Sequence, residues 1–342
     1  MDSDILSPPL LSFCLPTYNR AALLKQALSA LLPQIGPEDA AEVEVLVVDN
    51  ASPDGTPEVI RQAGLQSPHV LLRAVRNSEN IGPDRNFLKA IDLARGEFVF
   101  LISDDDLLLP GAVVKLLGFI RKHPDFDGFS LNARTFLRDP AEERPAWFPM
   151  AEDRIIQDKS GVLGLLETSI GFMSILAFNK SRLAERLSAG QYEDKIGSNF
   201  LQAFLFLDAL AASRGFVVAA QPLLAQRAEN SPFDNYFRIF VTGINTVLTY
   251  AEQAGYSQKV IRQVKAKNLI DVRHFVSRVK IYGRGAELWP SRRDAIRRLF
   301  QMYGFRPYLW LVVVPLMFFP RPLSPLVFRL RRLLGRPDVE LA

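Results

Sequence analysis

Short apolar runs alternate with segments of helical periodicity over residues 10–121, and this alternation limits the fold more than any other feature of the chain. The runs have the length and composition of buried strands, and they lie at 10–16, 42–48, 70–75 and 98–102. The helix-patterned segments lie at 20–32, 57–64, 84–94 and 110–121. Strands that alternate with helices predict βαβ units, so we expect an α/β fold with a mostly parallel twisted sheet and helices on both faces.

The pattern changes beyond this segment. Residues 122–235 mix short apolar runs with helical stretches, whereas residues 236–342 are helical and basic. We predict one domain over 1–235, made of a first half at 10–121 and a second half at 122–235, followed by a helical C-terminal region.

Composition excludes several classes of protein. Of the 342 residues, 48% are apolar and 23% are charged, which is ordinary for a folded chain and unlike a disordered one. With Cys14 as the only cysteine, neither an intramolecular disulfide framework nor a zinc site of several cysteines can form. The three histidines are far apart in the sequence, which argues against a histidine-rich metal site.

Polar residues follow three of the predicted strands at the point where each strand ends. These groups lie at 16–20, 49–52 and 103–106. Ligands of open parallel sheets bind at the carboxyl ends of the strands, so we expect the three groups to share one edge. The three consecutive aspartates of the last group repel one another, and a hard divalent cation that also binds substrate phosphates commonly offsets such charge. The alternative is a solvated acidic turn that caps the next helix.

Three stretches of the chain carry a resemblance to a known family: SFCLPTYNRAALLKQALSALL, EVLVVDNASPDGT and NSENIGPDRNFLKAIDLARGEFVFLISDDDLLLPGAV. They span about residues 10–120 and are similar to glycosyltransferase family 2, whose enzymes have the GT-A fold and use nucleotide-sugar donors. The spacing of Asn80, Gly82, Asp84 and Asn86 ahead of DDDLLLPG is similar to the branch with abequosyl- and rhamnosyltransferase-like members, which attaches sugars in bacterial polysaccharide and O-antigen synthesis. The resemblance implies a catalytic domain whose first half binds the nucleotide and whose second half binds the acceptor.

The resemblance also implies a nucleotide site at the strand ends. The residues that would line the nucleobase pocket are Pro16, Thr17, Tyr18 and Asn19. Asp49 would bind the base or its ribose. The residues that would shape the rest of the site are Asn80, Gly82, Asp84 and Arg85, the last two near the diphosphate.

The acidic motif departs from the family pattern, which reads D-A-D-D. Alignment on Leu-Pro-Gly puts Ser103 where the first aspartate of that pattern stands. The resemblance then implies Asp105 as the ligand of Mg²⁺ or Mn²⁺ and Asp106 as a second metal residue, with Asp104 or Asp106 acting through water or on the sugar. The ribose contact of the missing aspartate would fall to Ser103 or to Asp104. A divalent cation there would neutralise charge that grows as the glycosidic bond breaks.

An inverting transfer needs a general base beside the acceptor hydroxyl. In the resembled family the base belongs to an Asp-Asp or Glu-Asp pair beyond residue 150. In this chain, Glu193-Asp194 is the only adjacent Glu-Asp pair between 154 and 300. We predict Asp194 as the base, with Glu193 and Asp208 as rivals. A solvated loop pair is the alternative for Glu193 and Asp194, and an apolar helical setting favours a structural role for Asp208.

These features predict an inverting glycosyltransferase. Its donor would be a nucleotide-diphosphate sugar, and its acceptor a saccharide or a sugar on a polyprenyl diphosphate. A nucleotidyltransferase is disfavoured, because the segment PTYNR after the first strand lacks the glycine-rich loop of such enzymes. A membrane-attached nucleotide-sugar-binding module with a degenerate site is the non-enzymatic alternative.

The C-terminal part of the chain is strongly basic. Residues 261–342 contain 17 Lys and Arg and 5 Asp and Glu, a net charge of +12, whereas residues 1–260 carry −8. Arginines interleave with aromatic residues over 289–336 and flank the stretch YLWLVVVPLMFF, which is typical of a segment in a bilayer interface. We therefore predict an anionic membrane surface as a partner and not nucleic acid. A helical cap packed on the catalytic domain is the structural alternative.

The sequence also predicts a location. The N-terminal segment contains Asp2 and Asp4 where a secretory signal would be positively charged. No uninterrupted apolar run reaches the ~18 residues of a spanning helix. We expect a cytoplasmic protein held peripherally at the inner face of the cell membrane.

Overall fold

The protein is described here by a computed structural model. The described residues are 8–137, 139–142, 144–212, 214–228, 237–277, 291–318 and 320. The chain divides into two compact units, Met1–Ala228 and Glu229–Ala342.

The first unit is an α/β domain with nine strands and seven α-helices among its described residues. The strands are β1 (Leu11–Thr17), β2 (Val43–Asp49), β3 (Leu71–Arg76), β4 (Phe98–Leu101), β5 (Leu107–Leu108), β6 (Gly128–Phe136), β7 (Arg154–Ile156), β8 (Leu176–Asn179) and β9 (Phe216–Arg227). The helices are α1 (Ala21–Leu31), α2 (Thr56–Gln66), α3 (Pro83–Leu93), α4 (Ala112–Lys122), α5 (Lys159–Leu166), α6 (Ala184–Ser188) and α7 (Leu201–Ala209). Single 3₁₀ turns occupy Leu32–Gln34, Glu167–Gly171, Met173–Ile175, Lys180–Leu183, Glu193–Lys195 and Leu210–Ala212.

Four parallel strands form one side of the sheet, in the order β3-β2-β1-β4. The register pairs Thr17 with Asp49, and Asp49 with Arg76, so the carboxyl ends of β1, β2 and β3 lie level with one another. Every residue of β1, β2 and β4 is buried, which explains why these strands read as nearly continuous apolar runs. The predicted α/β fold, with helices between parallel strands, is confirmed.

The other side of the sheet mixes directions and is not evident in the sequence pattern. Beyond β4 the order continues β8-β6-β9-β5, with β7 also paired to β9. The pairings of β4 with β8, β8 with β6, β5 with β9 and β7 with β9 are antiparallel, and β6 pairs with β9 in parallel. The strand β5 begins directly after the three aspartates, so its pairing brings the end of β9 against them.

A close backbone approach at Gly96 fixes the turn that leads from α3 into β4. A Cβ atom there would lie 2.5 Å from the backbone nitrogen of Ser12. We expect Gly96→Ala to lower the free energy of unfolding by about 1–3 kcal/mol, because the start of β1 would have to move. Urea denaturation measures this change.

Gly118 provides the matched control for this substitution. It lies within α4, and a Cβ atom there would meet nothing within 4 Å. Gly118→Ala should therefore raise stability by about 0.5–1 kcal/mol through helix propensity. Equal effects of the two substitutions would contradict the assigned close approach at Gly96.

The second unit is helical in its described residues. It contains α8 (Ile244–Gln253), α9 (Gln258–Ser277), α10 (Arg292–Tyr303) and α11 (Val314–Met317), with π-helical turns at Phe237–Gly243 and Leu309–Val313. Tyr303 is buried at its centre, where its hydroxyl accepts hydrogen bonds from Asn245 (3.0 Å) and Asn268 (2.9 Å). The apolar side chains packed around this point include Val272, Val276, Leu299, Leu309, Val313 and Met317.

The predicted membrane-associating segment lies partly within the described residues. No helix in the described part of the chain combines the length and apolar character needed to cross a membrane. Of the predicted segment at 289–336, the structure describes 291–318 and 320, and its other residues lie outside the described residues.

Candidate functional site

The structure brings the end of β1 together with the acidic segment after β4. The Thr17 hydroxyl donates a hydrogen bond of 2.7 Å to Asp104 Oδ2. Arg20 Nη1 donates to Asp104 Oδ1 at 3.0 Å and to Asp105 Oδ2 at 3.3 Å. Since Thr17 is also level with Asp49 in the sheet, the three polar strand ends share one edge, as the sequence predicts.

Arg20 supplies positive charge between two of the aspartates. Burial disfavours the charge on Arg20, but Asp104 and its neighbours more than offset this, so the pKa of Arg20 is raised. Burial raises the pKa of Asp104, while the bonds from Thr17 and Arg20 act in the opposite direction. The guanidinium of Arg20 therefore offsets part of the negative charge of Asp104 and Asp105.

Asp105 is the member of the trio that opens most to solvent. Its side chain is 13% exposed, against 4% for Asp104. The Ser103 hydroxyl donates a hydrogen bond of 2.5 Å to Asp105 Oδ1. The serine that stands in the place of the family's first aspartate therefore orients the predicted metal ligand.

Asp106 is turned into the protein. Its Oδ2 accepts a hydrogen bond of 2.6 Å from the Ser174 hydroxyl, and its Oδ1 accepts one of 3.2 Å from the backbone nitrogen of Arg227. Burial, followed by the charge of Asp105, raises the pKa of Asp106 to about 8. Both carboxylate oxygens of Asp106 therefore bind protein groups, and these contacts hold the acidic turn in place.

Arg227 is a site residue that sequence reasoning missed. It ends β9, and besides its backbone contact to Asp106 its Nε donates to the carbonyl oxygen of Asp105 at 3.2 Å. Its guanidinium lies 4.6 Å from the ring centroid of Phe136 and donates to Gln26 Oε1 at 2.7 Å. The signal was absent from the local sequence because the contact depends on the pairing of β5 with β9.

The segment predicted to line the nucleobase pocket adjoins the end of β2. Pro16 and Thr17 complete β1, Tyr18 is exposed, and Asn19 adopts a positive φ of 55° with its backbone nitrogen bonded to Ser52 Oγ at 2.9 Å. This contact ties the loop after β1 to the loop after β2.

Asp49 is buried at the same edge. Its Oδ1 accepts a hydrogen bond of 2.9 Å from the backbone nitrogen of Ser52, and its Oδ2 accepts one of 2.7 Å from Arg76 Nη1. Arg76 also donates to the carbonyl oxygen of Ser52. Asp49 therefore shapes the loop after β2 through two contacts.

A network of asparagine side chains holds the loop between β3 and α3. Asn50 Nδ2 donates to Asn80 Oδ1 at 2.8 Å, and Asn50 Oδ1 accepts from Asn77 Nδ2 at 2.8 Å. Asn77 also donates to Asn86 on α3. Gly82 has a φ of +83°, which favours glycine where this loop enters α3. The predicted residues Asn80 and Gly82 thus belong to one hydrogen-bonded loop at the sheet edge, and Asn50 and Asn77 are additions to it.

The first turn of α3 contacts the segment that carries the predicted base. Asp84 is buried and its Oδ2 accepts a hydrogen bond of 2.6 Å from the backbone nitrogen of Gly197. Arg85 Nη2 donates to Glu193 Oε2 at 3.0 Å. The structure therefore brings Glu193 to the first turn of α3, directly after the asparagine-held loop.

The three base candidates differ in their surroundings. The side chain of Asp194 is 67% exposed and lies 2.5 Å from the ammonium group of Lys195. Asp208 is buried on α7, accepts a hydrogen bond of 2.9 Å from the Tyr192 hydroxyl and pairs with Arg186 at 3.5 Å. These contacts agree with the structural role predicted for Asp208, and they anchor the residue that precedes Glu193.

The donor set at the acidic turn fits one kind of metal site. Among the described residues, no group of three or more His, Cys, Asp and Glu side chains is arranged to hold a metal ion. Mg²⁺ in phosphate-binding sites is commonly held by one or two carboxylates, with waters and substrate phosphates completing its coordination. A single accessible carboxylate beside a hydroxyl, as at Asp105 and Ser103, fits that pattern, whereas an all-protein cage does not.

Comparison with known proteins identifies the domain. Residues 12–174 match the family model described as glycosyl transferase family 2. These residues form a family 2 glycosyltransferase domain. The match includes all three strand ends, the asparagine-held loop and Ser174, so each predicted donor-side residue of the site lies inside the glycosyltransferase domain.

Two curated relatives resemble the glycosyltransferase domain in sequence. Abequosyltransferase RfbV of Salmonella typhimurium is 35% identical over 116 residues, which cover 34% of this chain and 34% of that protein. The GalNAc(5)-diNAcBac-PP-undecaprenol beta-1,3-glucosyltransferase of Campylobacter jejuni is 34% identical over 109 residues, which cover 32% of this chain and 34% of that protein. The chain matches about a third of the length of these relatives.

Solved structures resemble the chain over more of its length. The crystal structure of Staphylococcus aureus TarS 1-349 has a TM-score of 0.60 at 15% identity and covers 93% of this chain and 91% of its own. The mannosyltransferase PcManGT from Pyrobaculum calidifontis, in complex with GDP-Man and Mn²⁺, has a TM-score of 0.56 at 18% identity and covers 96% of this chain and 88% of its own. These likenesses confirm the GT-A fold.

Proposed function

We propose that this chain is an inverting, metal-dependent glycosyltransferase that moves a sugar from a nucleotide-diphosphate donor to a saccharide acceptor. The observation that carries the proposal is the meeting of Thr17 and Arg20 with Asp104 and Asp105 at the carboxyl edge of the parallel strands, inside a family 2 domain. That edge is where ligands of such sheets bind.

Different residues of the site would contact different parts of the donor. The loop at 16–19 and Asp49 would contact the nucleoside, and Ser103 or Asp104 would contact its ribose. The loop containing Asn80 and Gly82 would bound the site beside α3. TarS has been solved in complex with UDP-GlcNAc and with UDP, which supports a nucleotide-sugar donor.

The acidic turn would face the diphosphate. Asp105 would hold Mg²⁺ or Mn²⁺, with Asp106 as the buried anchor that keeps Asp105 in place through Ser174 and Arg227. When bound, the cation would neutralise the charge that develops on the departing nucleoside diphosphate. Arg20 adds positive charge on the same side. Arg85 would lie near the diphosphate at the first turn of α3, where Asp84 fixes the neighbouring loop.

The acceptor side rests on the segment 193–197. Asp194 would remove the proton from the acceptor hydroxyl as the sugar is transferred with inversion. Glu193, held by Arg85, would position this segment. We propose a lipid-linked acceptor in bacterial surface polysaccharide synthesis, and a location at the inner face of the cell membrane on an anionic surface. The Campylobacter jejuni relative, a glucosyltransferase named for an undecaprenol-linked saccharide, supports that acceptor class.

A donor-cleavage assay tests the function. The full chain is incubated with UDP-, dTDP- and GDP-sugars, with and without Mn²⁺, and release of the nucleoside diphosphate is measured. We expect one nucleotide class to be cleaved in a metal-dependent reaction, and a saccharide acceptor to accelerate it with inverted anomeric configuration by NMR. Binding without cleavage would favour the nucleotide-sugar-binding module. Pyrophosphate release from a nucleoside triphosphate and a sugar phosphate would favour a nucleotidyltransferase.

A further inference from the structure

The second unit displays apolar side chains around the turn that follows α10. Phe305 is 82% exposed and Leu311 is 76% exposed. The Phe305 ring lies 4.9 Å from that of Phe300 and 6.4 Å from that of Trp310, measured between centroids. We call Phe300, Phe305, Trp310 and Leu311 the aromatic turn. Exposed aromatic clusters of this kind mark surfaces that bind a partner or a membrane.

The aromatic turn is built on a packed core. Gly304 ends α10 with a φ of +62°, and its carbonyl oxygen accepts a hydrogen bond of 3.2 Å from Trp310 Nε1. Tyr303 and Leu309, which flank Phe305 in the sequence, are buried. The apolar side chains are therefore held outward by ordered neighbours that are themselves part of the core.

Basic residues surround the aromatic turn. Arg306 donates a hydrogen bond of 3.3 Å to the carbonyl oxygen of Arg262, which puts the exposed Arg262 of α9 beside the turn. Arg297 is exposed one helical turn before Phe300. Over 237–277 and 291–318 there are 11 Lys and Arg and 3 Asp and Glu. Apolar residues rimmed by arginine match the chemistry of an anionic bilayer interface.

We propose that the aromatic turn inserts into the interface of an anionic lipid bilayer. Phe305 and Leu311 enter the boundary of the acyl chains, Trp310 lies at the headgroup level, and Arg262, Arg297 and Arg306 contact the lipid phosphates. A nucleic-acid surface accounts for the arginines and for stacked rings, but it offers nothing to the aliphatic Leu311. This proposal rests on the proposed function and names the residues that would bind its membrane partner. Membrane binding is measured independently of sugar transfer.

Vesicle sedimentation of the full chain is the first test. We expect binding to vesicles of phosphatidylglycerol and phosphatidylcholine at low salt, and much weaker binding to pure phosphatidylcholine. Phe305→Ser with Leu311→Ser should lower partitioning by about tenfold or more, since two apolar side chains no longer enter the bilayer. The matched control is Leu65→Ser with Val114→Ser, two apolar residues that are 64% and 60% exposed in the first unit. Circular dichroism checks that both variants fold.

Tryptophan quenching by brominated lipids is the second test, and it reports whether Trp310 itself reaches the bilayer. The chain has three tryptophans, and we expect Trp310→Phe to remove the quenched part of the emission. Equal partitioning of the two double variants, or quenching that survives Trp310→Phe, would overturn the proposal. So would a turn-dependent affinity for single-stranded RNA with no affinity for vesicles. Loss of donor cleavage alone would count against the enzyme and leave these results standing.

Discussion

Replacing Asp105 with asparagine should lower the rate of sugar transfer by about 10²–10³-fold, the scale of losing one electrostatic contact to a developing charge. Asp105 is the most exposed of the three aspartates, and Ser103 and Arg20 orient its two oxygens. Asparagine keeps the shape of the side chain and removes the charge that would hold the cation. Initial rates at saturating donor, measured across a Mn²⁺ titration, give the effect.

The control for this experiment is Asp92→Asn, an exposed aspartate on the same α/β domain. It should leave the transfer rate and its metal dependence unchanged. The unfolding curve of Asp92→Asn should superimpose on that of the unmodified chain, and circular dichroism checks that Asp105→Asn is folded. An Asp105→Asn protein with unchanged rate and unchanged Mn²⁺ dependence would contradict the assignment of Asp105.

Replacing Asp194 with asparagine should lower kcat by about 10²–10⁴-fold, the usual contribution of a general base, with little change in KM for the donor. The carboxylate of Asp194 is exposed and pairs with the neighbouring Lys195, so its replacement should not disturb the fold. Steady-state kinetics with varied donor concentration measure both parameters.

Glu193→Gln is the matched variant for this prediction. Glu193 is held by Arg85, so its loss should weaken the positioning of the segment and lower kcat by less than the loss of Asp194. If Glu193→Gln instead abolishes transfer while Asp194→Asn retains it, the base is Glu193. Transfer activity in Glu193→Asp, which keeps the carboxylate, would then separate a proton-transfer role from the contact with Arg85.

Local patterning predicts the parallel part of the sheet well, since each strand there is a buried apolar run followed by an amphipathic helix. The predicted strands at 10–16 and 42–48 differ from β1 and β2 by one residue at each end. The antiparallel extension was not predicted, because β8 has four residues and its partners lie far away in the sequence. The antiparallel strands depend on pairing between residues that are distant in the sequence, and a short sequence segment carries no information about such pairing.

For the site, too, the sequence predicts one part and not the other. The strand-end groups could be placed at one edge from the rule for parallel sheets, and the contact of Thr17 with Asp104 agrees with that placement. The orientation of each carboxylate could not be predicted. Asp106 faces inward because Ser174 and the end of β9 supply its partners, and both come from the part of the sheet that the sequence pattern does not reveal.

Isothermal titration calorimetry with nucleoside diphosphates shows whether Asp105, at the carboxyl edge shared with Thr17 and Asp49, binds a divalent cation together with a diphosphate. We expect UDP, dTDP or GDP to bind the full chain in the presence of Mn²⁺. EDTA should abolish the heat signal, and so should Asp105→Asn. Equal affinity with Mn²⁺ and with EDTA, or no affinity for any nucleoside diphosphate, would contradict it.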